Sequence, residues 1–194
     1  MIPVIFFLNR HTPLHNQFKS SLIYSRMHQC HSNHVKIIHR PSYPQFIDNC
    51  DALITQDPNH LLLVKTADCL PILIYKPPST IAAIHAGRKG TETNITKATI
   101  QKIQTLSPSK TEKWSIWFGP HICQKCYEIN LKTHEKYDLK QKNIEQITKE
   151  LPTKKISIDS SPNCTVCNNN NYFSYRHNPY YAGRFFSGIY LKKE

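Results

Sequence analysis

Cys69 and His85 are the two side chains whose type and placement best suit chemistry. Cys69 lies in Thr66-Ala67-Asp68-Cys69-Leu70-Pro71, a polar turn between two strongly apolar runs, and His85 directly follows the run Ile81 to Ile84. Both therefore read as strand-end residues, and they meet if those two strands are neighbours in one sheet. A thiol beside an imidazole has three readings. As metal ligands the pair holds zinc, and three protein ligands in all leave a fourth position for water. As a catalytic pair, His85 activates Cys69 as a nucleophile for acyl transfer. As packing, Cys69 is a small buried hydrophobe and His85 a hydrogen-bonded strand residue. The small residues Ala67, Ala86, Gly87 and Gly90 let backbone approach a ligand closely. Nothing local selects a further ligand, because His28, His31, His34 and His39 crowd one stretch.

A second cysteine set, Cys123-Gln124-Lys125-Cys126 and Cys164-Thr165-Val166-Cys167, has the C-x-x-C spacing of tetrahedral structural zinc. The gap between the pairs is longer than the usual ribbon spacing. The competing reading is four reduced cysteines packed near one another, able to form a disulfide on oxidation. The sequence leaves that choice open. Seven cysteines, an odd number, with no secretory signal recognised ahead of them, disfavour a disulfide framework and point to a cytoplasmic protein.

The elements that must position these groups are mostly short and apolar. Strands are expected at residues 2 to 8, with Pro3 near the start or on an edge, and at Val35 to Ile38, Asp51 to Thr55, Leu61 to Lys65, Ile72 to Tyr75 and Ile81 to Ile84. After Gly90 the apolar spacing changes to that of a helix through Ile95, Ala98 or Thr99, Ile100 and Ile103, with Thr91 or Thr93 as its cap. Trp114 to Phe118 reads as a strand, residues 131 to 150 as a polar helix, Ile156 to Ile158 and Arg184 to Leu191 as closing strands, and Asn168 to Asn171 as a loop tip. Clustered strands with separate helices favour an α+β fold, a layered mixed β-sheet core with flanking helices. The 194 residues fit a single domain, 1–194, large enough for a core that needs no staples.

Hydrophobic residues at 39% and charged residues at 20% are ordinary for a folded globular chain. The net charge of +12 attracts phosphates, nucleic acid or anionic surfaces, but the lysines are scattered and form no run. A basic zinc-binding nucleic-acid module is the non-enzymatic alternative. Against it, no expected helix carries a basic face interleaved with aromatics, and Tyr180, Tyr181, Phe185 and Phe186 read as core or pocket wall. The apolar opening from Ile2 to Leu8 is too short for a membrane span, so no membrane partner is expected.

Six words of the sequence resemble the bacterial YfiH-type, or laccase-domain, proteins, described as purine nucleoside phosphorylases, multicopper polyphenol oxidases and peptidoglycan editing factors. They are Gln29-Cys30-His31-Ser32, Asp51-Ala52-Leu53-Ile54-Thr55, Thr66-Ala67-Asp68-Cys69-Leu70-Pro71, His85-Ala86-Gly87 with Gly90, Gly119-Pro120-His121-Ile122 with Tyr127-Glu128, and Phe173-Ser174-Tyr175-Arg176 with Gly183-Arg184. Each is weak alone, but in this order across residues 29 to 189 they are specific. The resemblance implies a YfiH-like fold and makes His31, Cys69 and His85 the metal ligands, the Gln-x-His word selecting His31 among its neighbours.

The activity it implies is phosphorolysis of adenosine, inosine, guanosine and methylthioadenosine to base and ribose 1-phosphate, together with deamination of adenosine. Purine nucleoside and inorganic phosphate are then the partners, and zinc the cofactor, although the same donors accept copper. Phosphorolysis needs phosphate held beside the ribose while positive charge develops on the sugar, so cationic groups should line the pocket, and Arg88, Lys89, Arg176 and Arg184 are the candidates for holding phosphate. The family commonly reads His-Ala-Gly-Trp-Arg-Gly where this chain has His85-Ala86-Gly87-Arg88-Lys89-Gly90, so the guanidinium fork is shifted by one position. Two enzymatic alternatives follow: a Cys-His hydrolase of the peptidoglycan-editing type with Cys69 as nucleophile, and a copper-dependent phenol oxidase. One Cys and two His make a single small site, whereas oxidase chemistry normally couples several coppers. The sequence sets no oligomeric state.

Overall fold

Runs such as Ile72–Tyr75 and Ile81–Ile84 are apolar at every position, which demands cover on both faces of their sheet. A computed structural model, describing residues 1–14, 22–39, 41–108 and 112–193, supplies that cover. The strands are β1 (Ile2–Phe7), β2 (Ile23–Met27), β3 (Val35–Ile37), β4 (Gln45–Ile47), β5 (Ala52–Thr55), β6 (His60–Thr66), β7 (Leu70–Lys76), β8 (Thr80–Ala86), β9 (Trp114–Phe118), β10 (Glu128–Asn130), β11 (Glu135–Lys136), β12 (Ile156–Ser160) and β13 (Phe185–Lys192). The α-helices are α1 (Arg88–Glu92), α2 (Ile95–Leu106) and α3 (Leu139–Glu150).

A six-stranded sheet in the order β12-β9-β7-β8-β5-β3 lies between a five-stranded sheet, β1-β13-β6-β2-β4, and the helices. Alternate residues of its strands serve the two interfaces. Leu53, Leu73, Ile81 and Ala83 meet Leu62, Val64, Ile189 and Leu191 of the other sheet. Ile54, Ile72, Ile74, Ala82 and Ile84 instead pack under Ile95, Ile100, Ile103 and Ile147 of α2 and α3. Burying each Leu, Ile or Val side chain among them contributes roughly 1.5–3 kcal/mol. This is the expected α+β layering.

Several local expectations need correction. Helix α2 starts after Asn94, which sits at φ 67°. Thr93 instead donates to the Lys89 and Gly90 carbonyls at the end of α1, and Thr91 is buried beneath Asn143. The helix expected over residues 131 to 150 occupies only Leu139–Glu150, because Asp138 caps it by accepting the Gln141 N–H at 2.9 Å, while β11 pairs with β10 in a ribbon. Strands β2 and β4 were not expected. Their short mixed sequences, Ile-Tyr-Ser-Arg-Met and Gln-Phe-Ile, show no apolar run; β2 becomes a strand by pairing in parallel with β6, and β4 by pairing in parallel with β2. Tyr180 and Tyr181, read as core or pocket wall, are 92% and 83% exposed. Among the described residues no helix is long and apolar enough to cross a membrane.

Candidate metal centre

The chain leaves the five-stranded sheet at Thr66, bends through residues 67–69 and enters the six-stranded sheet at Leu70. Cys69 thus sits on the crossing between layers. Strands β7 and β8 are antiparallel neighbours with Leu70 opposite Ala86 and Pro71 opposite His85, which is the adjacency needed to bring Cys69 and His85 together. His85 lies inside β8 rather than just beyond it, and is almost wholly buried.

His31 reaches the same point from the loop between β2 and β3, with φ 61° in the left-handed region. Asp51 holds that conformation. Its buried carboxylate accepts the N–H groups of Cys30, His31 and Ser32 at 3.2, 3.0 and 2.7 Å and the Ser32 hydroxyl at 2.8 Å. Gln29 fastens the loop to β6 through both its amide atoms, at 2.8 and 3.0 Å from the backbone of Lys65. The Cys30 thiol also donates to Asp51 at 3.3 Å, and Asp51 Oδ1 lies 2.7 Å from His85 Nδ1, which turns the other ring nitrogen of His85 towards the cluster.

The His31, Cys69 and His85 donor atoms all lie within 4.8 Å of one another, and His31 Nε2 is 3.8 Å from Cys69 Sγ. A tetrahedral zinc with ordinary bond lengths places sulfur and nitrogen about 3.6 Å apart, so this donor set fits the ion. Burial grades from His85, inside the sheet, through half-buried Cys69 to exposed His31, leaving the solvent side for a fourth ligand. Gly87 makes the closeness feasible: a Cβ there would stand 2.8 Å from His31 Cδ2 and 3.0 Å from Cys69 Sγ. The glycine thus admits the candidate ligands themselves.

Charge is organised around the same contacts. Burial opposes ionisation of Asp51, but hydrogen bonds from His85 and Ser32 outweigh it and hold the carboxyl well below the usual range. Burial likewise disfavours the His85 cation, yet the Cys69 charge and the Asp51 hydrogen bond raise its pKa to about 9. For Cys69, burial works against the thiolate, and the attraction of His85 with a hydrogen bond from His31 brings the pKa down to about 6. Asp51, His85 and Cys69 form an alternating row of charge.

A wall surrounds the cluster. Asp68, at φ 87°, accepts the Thr165 hydroxyl and the Arg176 N–H, both at 2.6 Å, on its carboxylate and the Ile122 N–H at 2.9 Å on its carbonyl. The Arg176 guanidinium lies 5.4 Å from the Tyr127 ring centre. Burial pushes the Tyr127 phenol up and the Cys69 charge adds to this, while Arg88 and Arg176 oppose it. Of the four cations named for phosphate, the structure therefore gathers Arg88 and Arg176. Arg88 also pairs with Glu92 at 3.3 Å, and Arg176, like Lys89, is exposed, but Arg184 turns back on the carbonyls of Ala182 and Gly183 at 2.7 and 2.9 Å, 6.0 Å from the Tyr175 ring. The four remaining clustered cysteines, Cys123, Cys126, Cys164 and Cys167, also converge within 4.8 Å.

The family model described as multi-copper polyphenol oxidoreductase laccase matches residues 9–192. The chain belongs to this family. Among its relatives, the purine nucleoside phosphorylase Cj1217c of Campylobacter jejuni is 34% identical over 179 residues, spanning 86% of this chain and 76% of the relative. Adenosine deaminase RL5, from an unknown prokaryotic organism, is 29% identical over 168 residues, spanning 75% of this chain and 64% of the relative. The crystal structure of YlmD from Geobacillus stearothermophilus aligns with a TM-score of 0.79 at 22% identity, over 88% of this chain and 74% of that one, and so shares the fold.

Within this family member, sequence reasoning passed over Asp51, Asp68 and Tyr127 as site residues. A signal existed for Asp51: a carboxylate opening a wholly buried strand must find donors there. Tyr127 stands in one of the six family words, but no local pattern marked it as a site residue.

Proposed function

We propose that this chain is a metal-dependent purine nucleoside enzyme. It splits adenosine, inosine, guanosine and methylthioadenosine with inorganic phosphate into free base and ribose 1-phosphate, and it deaminates adenosine. His31, Cys69 and His85 hold zinc. The observation that carries this reading is the convergence of those three donors, backed by Asp51, beside Tyr127, Arg88 and Arg176. The names of the Campylobacter jejuni relative and of RL5 support the substrate class.

When bound, zinc supplies Lewis acidity and lowers the pKa of water towards neutrality, which suits deamination of a purine ring. Asp51 occupies His85 Nδ1 and so keeps the other nitrogen available to the centre. The exposed His31 side is where nucleoside enters. Arg88 and Arg176 hold phosphate against the ribose as positive charge develops on the sugar, and the Arg88 fork takes over from the exposed ammonium at Lys89.

The test incubates purified protein with adenosine or inosine, with and without phosphate, and separates the products. Base is expected only when phosphate is present. Base release indifferent to phosphate overturns phosphorolysis, and untouched nucleoside overturns the whole reading. His85→Ala should lose both the activity and one zinc per chain; an unchanged zinc content removes the proposed centre.

A Cys-His hydrolase is the second reading, favoured by the 3.8 Å approach of His31 Nε2 to Cys69 Sγ, which puts a base beside the thiol. Amide or ester cleavage that survives metal removal and disappears in Cys69→Ser selects it. Metal analysis of the purified protein decides between zinc and copper in the same donors.

A further inference from the structure

Cys123 and Cys126 are far along the chain from Cys164 and Cys167, yet their four sulfurs lie within 4.8 Å of one another and none is in a disulfide. Zinc bonds to thiolate of about 2.3 Å place the sulfurs of a tetrahedral site about 3.8 Å apart. The cluster therefore needs only a small contraction to close on an ion.

The backbone prepares it. Residues Gln124–Cys126 form a 3-10 turn in which the N–H groups of Cys126 and Tyr127 return to the Cys123 carbonyl at 3.0 and 3.1 Å. The other pair lies on a turn closed by the Asn168 N–H on the Cys164 carbonyl at 2.9 Å. A C-x-x-C on such a turn brings its two sulfurs to one side. A parallel bridge between His121 and Cys164, with the Thr165 N–H on the His121 carbonyl at 3.1 Å, locks the turns together. Across them Cys126 Sγ is 3.5 Å from Cys167 Sγ, and the Cys123 N–H donates to Cys164 Sγ at 3.3 Å, a contact that stabilises a thiolate.

We infer that Cys123, Cys126, Cys164 and Cys167 bind a structural zinc ion. Four soft donors complete the tetrahedron and leave no position for water or substrate, unlike the three-donor centre. Its role is to fasten two loops. Ile122, beside the first pair, and Thr165, inside the second, both donate to Asp68, the neighbour of Cys69. The ion ties together the wall segments of the first centre. This site stands independently of the nucleoside reading.

Protein purified under reduction without added metal should contain about two zinc ions per chain, and Cys126→Ser/Cys167→Ser about one. X-ray absorption at the zinc edge of the wild-type protein should show a shell dominated by sulfur, a measurement that needs no variant to fold. A single zinc in a sulfur-only shell keeps this inference and removes the first centre instead. The inference is overturned by a single zinc in a nitrogen-rich shell, by a double variant that folds with its zinc content unchanged, or by a Cys126–Cys167 disulfide in the freshly reduced and purified chain.

Discussion

The Asp51 carboxylate lies 2.7 Å from His85 Nδ1 and at the same time gathers the N–H groups of residues 30–32, so one buried side chain orients two of the three candidate ligands. Asp51→Asn keeps the size but presents an amide N–H₂ to groups that are themselves donors. Zinc affinity at this centre should fall about 10–100-fold, read by competition against a chelator. Unchanged affinity would show that the His31 loop holds its shape without the carboxylate.

Gly87→Ala places a methyl group where His31 and Cys69 Sγ already stand, at 2.8 and 3.0 Å. Both belong to the cluster and neither can retreat without opening it. The variant should remain folded, lose about 1–3 kcal/mol of stability and lose metal at this centre, as measured by denaturant titration and metal analysis.

Arg88→Ala and Arg176→Ala each remove one cation beside Tyr127. If they hold phosphate, the KM for phosphate should rise about 10-fold or more while the KM for nucleoside changes little. Arg184→Ala, whose guanidinium bonds its own loop, should leave both constants near wild type.

His60 is buried, with Nε2 2.9 Å from the Ser25 hydroxyl. Burial lowers its pKa, against a smaller opposing pull from Asp57. Below the ordinary histidine value of about 6.5 the unfolded chain binds a proton that the folded chain resists. Stability from this group is therefore complete above that pH, falls as pH drops through it, and levels off beneath the folded pKa. In His60→Gln the loss of stability between pH 7.5 and pH 5.5 should be smaller than in wild type; equal losses in urea titrations would exclude the group as a source.

Leu73 is fully buried between the two sheets. Leu73→Ala should cost about 2–5 kcal/mol, from lost transfer energy and the cavity left behind. The matching prediction for the other layer, Ile100→Ala beneath α2, falls in the same range.

What the sequence determined by itself was the set of elements whose apolar pattern admits one reading. Unbroken runs at residues 72–75 and 81–84 require strands covered on both faces; that the two pair antiparallel, bringing Cys69 to His85, is a fact of the tertiary structure. The family words added His31, although nothing in its neighbourhood distinguishes it from His28 or His34. The tertiary structure alone decided why His31 serves: Asp51, distant in the chain, collects the amides around it. It also brought Cys123 and Cys126 to Cys164 and Cys167, and separated Arg88 and Arg176 from Arg184 among the cations. The physical reason is common to all three. Loops and one-turn helices are too short to carry periodicity, so their side chains are placed by hydrogen bonds and pairings between remote segments, and those exist only once the layers have packed.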